Sequence, residues 1–251
     1  MDGSRNMKEM SSKTKYAIKE LAKDNYVLIA SGRCKGLLDK QILQLPVNGY
    51  ILCNGAYAEV NNKVLFEKYF DQETVEKIIE YSLGYNGFYV LESLHRMFVN
   101  DLKATEFIKF LHGWGQSIEG FEQRQDLSDK YHIAMIGFGS EEEARECELK
   151  LNKYADVRRH NGYHSSDVNV KNIDKGVAAK AVIEKLGIAL EDTYCFGDGI
   201  NDLEMLQTVG HHVIMANADP GIKGYGFEET LDVLNDGFYH YLVNNKLIKA
   251  I

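Results

Sequence analysis

The sequence predicts an α/β fold in which a parallel-sheet core is interrupted by an inserted α+β block. Three observations predict it. Short, unbroken apolar runs such as Val27-Leu28-Ile29-Ala30 and Tyr50-Ile51-Leu52-Cys53 alternate with stretches of helical spacing, the pattern of strands buried on both faces of a parallel sheet. A polar residue stands at the end of each core run: Ser31, Asn54, Asp198 and Asn217. From about Asp71 to Ser166 the texture changes to aromatic-rich helix and strand pieces, and the α/β pattern returns from Val168.

Each element has its own warrant. Ala17, Ile18, Leu21 and Ala22 recur at helical spacing, and Ser11 or Ser12 can cap the start, so Thr14–Leu21 reads as a helix. Tyr26–Ala30 reads as a strand stopped by Ser31-Gly32-Arg33, and Tyr50–Cys53 as a second stopped by Asn54-Gly55-Ala56. Val60-Asn61-Asn62-Lys63-Val64 reads as a hairpin, since both asparagines tolerate the positive φ of a two-residue turn. The inserted block carries pieces at Glu73–Ser82, Gly87–Leu91, Met97–Asn100, Thr105–Leu111 and Tyr131–Phe138. Its last helix, within Ser140–Tyr154, is opened by Ser140 and Glu143 as a capping box. Helix Lys175–Leu186 ends at Gly187, strand Thr193–Phe196 follows, then helix Asp202–Thr208 ended by Gly210, then strand His212–Met215. The expected core is therefore discontinuous, residues 1–70 and 167–251, around an inserted domain at 71–166.

Composition narrows the function. Of 251 residues, 45% are hydrophobic and 26% charged, enough apolar surface for a full core. With 29 Lys+Arg against 37 Asp+Glu the net charge is −8, which disfavours nucleic acid and anionic membrane as partners and favours a small molecule or a cation. No apolar run approaches the ~18 residues of a membrane span, and no apolar segment follows the N-terminal charges as in a secretory signal, so the expected location is cytoplasmic. Cys34, Cys53, Cys147 and Cys195 form no C-x-x-C pair and read as small buried residues. His211-His212 lacks a third ligand at a supporting spacing, and Tyr81, Tyr85, Phe88, Tyr89 and Phe98 read chiefly as core.

In an open parallel sheet, ligands bind beyond the carboxyl ends of the strands, where loops and helix N-termini converge. The richest such place is Phe196-Gly197-Asp198-Gly199-Ile200-Asn201-Asp202, with two carboxylates and an amide in five residues. Mg²⁺ takes hard oxygen ligands and keeps several waters, so one or two loop carboxylates suffice for it. A lone Asp here would read as a helix cap. The glycines on both sides of Asp198 imply instead a close approach of the backbone to something. Lys175 opens a helix, where its charge opposes the dipole and calls for an anion, either phosphate or the Asp198 and Asp202 carboxylates. Ser31, with the N–H groups of its turn, offers a hydroxyl and amide donors to a phosphate.

Together these residues resemble the haloacid dehalogenase (HAD) superfamily, and within it the Cof-type members of subfamily IIB. The resemblance spans the chain and rests on Ile29-Ala30-Ser31-Gly32-Arg33, Asn54-Gly55-Ala56, Lys175-Gly176 and Gly197-Asp198-Gly199-Ile200-Asn201-Asp202. It implies a Rossmann-like core with a C2-type cap inserted after the third core strand. It also implies a Mg²⁺-dependent phosphatase that removes phosphate from a small metabolite, such as a sugar phosphate, through an aspartyl-phosphate. By the same resemblance Asp198, Asp202 and Asp2 attend the metal, Asp202 either holding a metal-bound water or orienting Lys175. Lys175 and Ser31 hold the transferring phosphoryl oxygens, with Gly32, Arg33, Asn54, Gly55 and Asn201 completing the substrate side.

The family's first motif, Asp-x-Asp-Gly-Thr, is matched by Met1-Asp2-Gly3-Ser4 at its last four positions only. Asp2 is then the general acid/base. The nucleophilic Asp would precede Met1, together with the central strand that carries it, and the expectation is a longer natural protein. The alternative is a catalytically inactive relative that binds a phosphorylated ligand or a protein. Phosphoryl transfer between sugar positions is a further possibility within the superfamily.

Overall fold

Ser11 accepts a hydrogen bond from the Thr14 N–H and so starts helix α1 (Ser12–Leu21), whose Ala17 and Ile18 turn inward. Strand β1 (Leu28–Ala30) then pairs in parallel with β2 (Gly49–Leu52), the short helix α2 (Lys40–Leu43) lying between them in sequence. β2 runs antiparallel to β3 (Tyr57–Val60), and β4 (Lys63–Glu67) completes a four-stranded sheet in the order β1-β2-β3-β4. The β3–β4 turn places Asn61 and Asn62 at φ 51° and 61°, the left-handed pair that a tight hairpin requires. This computed structural model describes residues 9–113, 117–123 and 129–251.

The chain divides into two compact units: residues up to Gly32 with Leu38–Phe66 and Asp174–Ile251, and Arg33–Leu37 with Glu67–Ile173. The second unit is built on a six-stranded sheet. Its elements are α3 (Gln72–Gly84), β5 (Phe88–Glu92), β6 (Met97–Val99), α4 (Thr105–Gly113), β7 (Phe121–Gln123), β8 (Ile133–Gly137), α5 (Glu141–Leu151), β9 (Asp156–Arg159) and β10 (Ser165–Asn169). The strand order is β7-β6-β5-β8-β10-β9. Val75 and Ile78 of α3 and Ala144, Cys147 and Leu151 of α5 pack on Tyr89, Leu91, Ala134, Ile136 and Val168. Ser140 caps α5 by accepting from the Glu143 N–H, and its hydroxyl also donates to the Glu143 carboxylate. Phe88, Tyr89 and Phe98 are buried, while Tyr81 and Tyr85 pack half-exposed at the rim of the core.

The first unit resumes with α6 (Lys175–Leu186), ended by Gly187 in the left-handed conformation at φ 67°. Then come β11 (Tyr194–Gly197), α7 (Leu203–Leu206), β12 (His211–Met215), α8 (Pro220–Lys223), β13 (Glu228–Thr230) and α9 (Gly237–Asn244). Strands β11, β12 and β13 form a parallel three-stranded sheet. Ala178, Ala179 and Val182 of α6 join Ile51, Ala58 and Val60 of one sheet to Cys195 and Ile214 of the other in a single apolar cluster. Helix α1 packs on α9 through Ala17, Tyr239 and Leu242.

Two sequence expectations change. Strand β1 is half-buried at all three of its residues, where burial on both faces was expected. Among the described residues it is an edge strand, as is β11, whose Tyr194 is exposed, and an edge leaves apolar side chains and backbone groups uncovered. The boundary expected between residues 166 and 167 falls inside β10, because Ser165–Asn169 pairs with β8 on one side and β9 on the other. All four cysteines are buried, as their apolar surroundings suggested. Among the described residues no helix is long and apolar enough to cross a membrane.

Candidate active site

The strand ends of the first unit bring several of the predicted residues together. Lys175, the first residue of α6, is buried, and its Nζ donates to Asp202 Oδ1 at 2.6 Å. The opposing helix dipole is thus met by a carboxylate, while the Asp174 side chain caps the same helix by accepting from the Val177 N–H. The other oxygen of Asp202, Oδ2, accepts from the backbone N–H groups of Asp198 at 3.1 Å and Gly199 at 3.0 Å. One carboxylate therefore anchors the lysine with one oxygen and shapes the Asp198 loop with the other. Of its two expected roles, this geometry is the one that orients Lys175; both oxygens face protein donors.

The electrostatics follow from this placement. Burial pushes the Asp202 carboxyl upward, and the Lys175 charge with the three hydrogen bonds outweighs it, so the group sits below its ordinary value and stays ionised. Asp198 is half-buried on the loop that Asp202 holds, and its backbone C=O accepts from the Asp219 N–H at 2.8 Å. Gly197 and Gly199 flank it closely: a Cβ on Gly197 would stand 2.8 Å from Asp202 Cβ. A half-exposed carboxylate on a glycine-flanked loop, beside a cation already paired with another carboxylate, suits a hard divalent cation that keeps part of its water shell. The donor chemistry therefore fits Mg²⁺.

Ser31 follows β1, and its N–H donates to Ile51 O at 2.8 Å. The Asn54 N–H donates to Ser31 O at 3.3 Å, and Asn54 Oδ1 accepts from Asn201 Nδ2 at 3.1 Å. Ser31, Gly32, Asn54, Gly55, Lys175, Asp198, Asn201 and Asp202 are thus carried by loops of one unit that touch one another. Arg33 belongs to the second unit, where burial pushes the Glu92 carboxyl upward and the Arg33 charge opposes that push only weakly. Asn217 is exposed and ties its loop to the Val233 N–H. Asp2 lies outside the described residues. His211 stacks on Tyr194 and bonds to Glu191 O, and His212 packs against Phe227. Among the described residues no three His, Cys, Asp or Glu side chains cluster as a metal site.

Sequence reasoning did not single out Cys53, which has φ 54° and opens a left-handed run through Asn54 and Gly55. The Asn54-Gly55 pair signals such a turn; nothing at Cys53 does.

The first unit thus carries a buried lysine-carboxylate pair and an acidic loop at the ends of parallel-paired strands, and an α+β unit interrupts its sequence. The chain belongs to the family of haloacid dehalogenase-like hydrolases, whose profile matches residues 1–242. It is 28% identical over 256 residues to YkrA of Bacillus subtilis strain 168, named as a candidate phosphatase, covering 99% of this chain and 94% of that one. A crystal structure of a hypothetical protein from Geobacillus kaustophilus HTA426 superposes with a TM-score of 0.87 at 25% identity, over 97% of this chain and 94% of that one. The HAD subclass IIB sugar phosphatase BT4131 superposes with a TM-score of 0.80 at 25% identity, over 99% and 97%.

Proposed function

We propose that this protein is a Mg²⁺-dependent phosphatase of small phosphorylated metabolites, a sugar phosphate or similar, working through an aspartyl-phosphate. The observation that carries the reading is the buried Lys175–Asp202 pair locked to the Asp198 loop at the end of β11. Membership of the hydrolase family supports it, as does likeness to a described sugar phosphatase.

In this reading Asp198, with Asp2, holds the Mg²⁺, which when bound offsets the charge on the phosphoryl oxygens. Lys175 and the Ser31 hydroxyl bind two of those oxygens, and the N–H groups around Gly32 add donors. Asp202 aims the Lys175 side chain through the hydrogen bond to its Nζ. A carboxylate, at the first position of the Asp-x-Asp motif, attacks phosphorus; the ester P–O bond breaks and Asp2 gives its proton to the departing oxygen. Asp2 then takes a proton from the water that attacks the acyl phosphate, releasing phosphate and restoring the carboxylate. The second unit, interrupting the first in sequence, acts as the substrate-selecting cap. A cytoplasmic location belongs to the same reading.

The experiment is an assay of phosphate release from p-nitrophenyl phosphate, sugar phosphates, nucleotides and vitamin phosphates, with Mg²⁺ or with EDTA. It uses the 251-residue chain beside a version extended upstream to complete Asp-x-Asp. Mg²⁺-dependent release by the extended version supports the reading. Absence of release from both, with phosphorylated ligands still bound, would replace it with the inactive binding protein.

A further inference from the structure

Cys53, Asn54 and Gly55 follow one another at φ 54°, 50° and 98°, three consecutive left-handed residues directly after β2. L-residues avoid this region, asparagine less than most, and such a turn persists where its surroundings over-determine it. Here three neighbours do so. The Asn54 N–H donates to Ser31 O in the loop after β1, at 3.3 Å. Its side-chain Oδ1 accepts from Asn201 Nδ2 in the loop after β11, at 3.1 Å. Gly55 lies so close to the start of α6 that a Cβ there would stand 2.0 Å from Asp174 O and 2.8 Å from Lys175 N. A Cβ on Gly32 would likewise stand 2.7 Å from Asn54 Oδ1, and Asn54 is only 5% exposed.

We propose that Asn54 is a positioning residue, which sets the spacing of the Ser31 loop, the Asn201 loop and the Lys175 helix start without itself contacting the phosphoryl group. This rests on the phosphatase reading and revises the direct substrate contact expected of Asn54. Its backbone N–H and its Oδ1 both face protein partners, each on a different loop. The three loops carry every described residue of the first unit assigned above to phosphate or metal. Their mutual spacing is therefore what Asn54 controls.

The test compares Asn54→Asp with Asn54→Gly. Aspartate tolerates the left-handed turn and keeps an acceptor for Asn201, whereas glycine keeps the backbone and drops the acceptor. Against p-nitrophenyl phosphate with Mg²⁺, Asn54→Gly should lose about 10–100-fold, chiefly in kcat, the size of one buried hydrogen bond lost. Asn54→Asp should stand clearly above it. Adding Asn201→Ala to Asn54→Gly should cost less than the product of the two single losses, since both changes break the same link. The proposal is overturned if Asn54→Asp is the worst variant with a raised KM, as repulsion of a directly bound phosphate would produce, or if the two losses multiply. The same cycle read on melting temperature gives non-additive shifts if the link is made and additive ones if it is not. That readout stands even if the parent chain hydrolyses nothing, a result that would defeat only the phosphatase reading.

Discussion

Lys175 Nζ lies 2.6 Å from Asp202 Oδ1, with both side chains buried and the two residues 27 positions apart in sequence. Removing one partner strands the other. Lys175→Met should therefore destabilise the fold by about 3–5 kcal/mol, the usual cost of leaving a buried charge unpaired. Denaturant unfolding measures it.

The same pair sets an acid limit. Lys175 and the loop N–H groups hold the Asp202 carboxyl below its ordinary 3.8, against the pull of burial. A lowered folded-state value means that the stabilisation is complete above the unfolded value and is lost as pH falls through the folded one. Melting curves between pH 2 and pH 6 should show wild type losing stability below about pH 4, with the difference from Asp202→Asn shrinking over that window. A constant difference across the range would contradict the assignment.

Glu92 behaves in the opposite sense. Burial, with the nearby Asp167 charge, pushes its carboxyl from 4.5 up to about 7, although the Cys34 thiol and backbone donate to it. The folded state here prefers the protonated acid, so its contribution is complete below pH 4.5 and is lost as pH rises toward 7. A shift of this size corresponds to about 3 kcal/mol between pH 4 and pH 8. Glu92→Gln, which cannot ionise, should lack that decline, and differential scanning calorimetry at the two pH values reads the difference.

In the second unit, Arg159 grips Glu148 with two hydrogen bonds, at 2.5 and 2.6 Å, and reaches Glu141 at 2.6 Å. Ser166 also donates to Glu148. Lysine cannot reproduce that fork, so Arg159→Lys should cost about 1–2 kcal/mol. Chemical denaturation checks it.

Local chemistry made much of this legible beforehand. Ser11, Ser140, Gly187 and the Asn61-Asn62 turn each act as their residue types dictate, because caps and tight turns depend on neighbours a few residues away. Strand β9 was not legible: Asp156-Val157-Arg158-Arg159 is half-buried and charged, and only pairing with β10 and the Glu148 contact make it a strand. In the site, the motif residues stood out by type and order. Residue type and spacing left the partner of Lys175 open among phosphate, Asp198 and Asp202, and the resemblance left Asp202 between two roles, since only the fold brings a lysine 27 positions away to one carboxylate of that loop. The half-burial of β1 had the same cause, because apolar content does not reveal whether a strand has a neighbour on each side.

The most direct measurement of the central claim is Mg²⁺-dependent phosphate release by the protein, assayed with and without an upstream extension that completes Asp-x-Asp, and by its Asp198→Asn and Lys175→Met variants, each confirmed folded by its melting curve. Asp198→Asn keeps the loop shape that Asp202 provides and removes the carboxylate, so turnover should fall about 100-fold or more and Mg²⁺ should no longer raise its melting temperature. Lys175→Met should fall at least as far, by loss of the charge facing the phosphoryl oxygens. Wild-type rates in both folded variants would place the chemistry elsewhere and contradict the account.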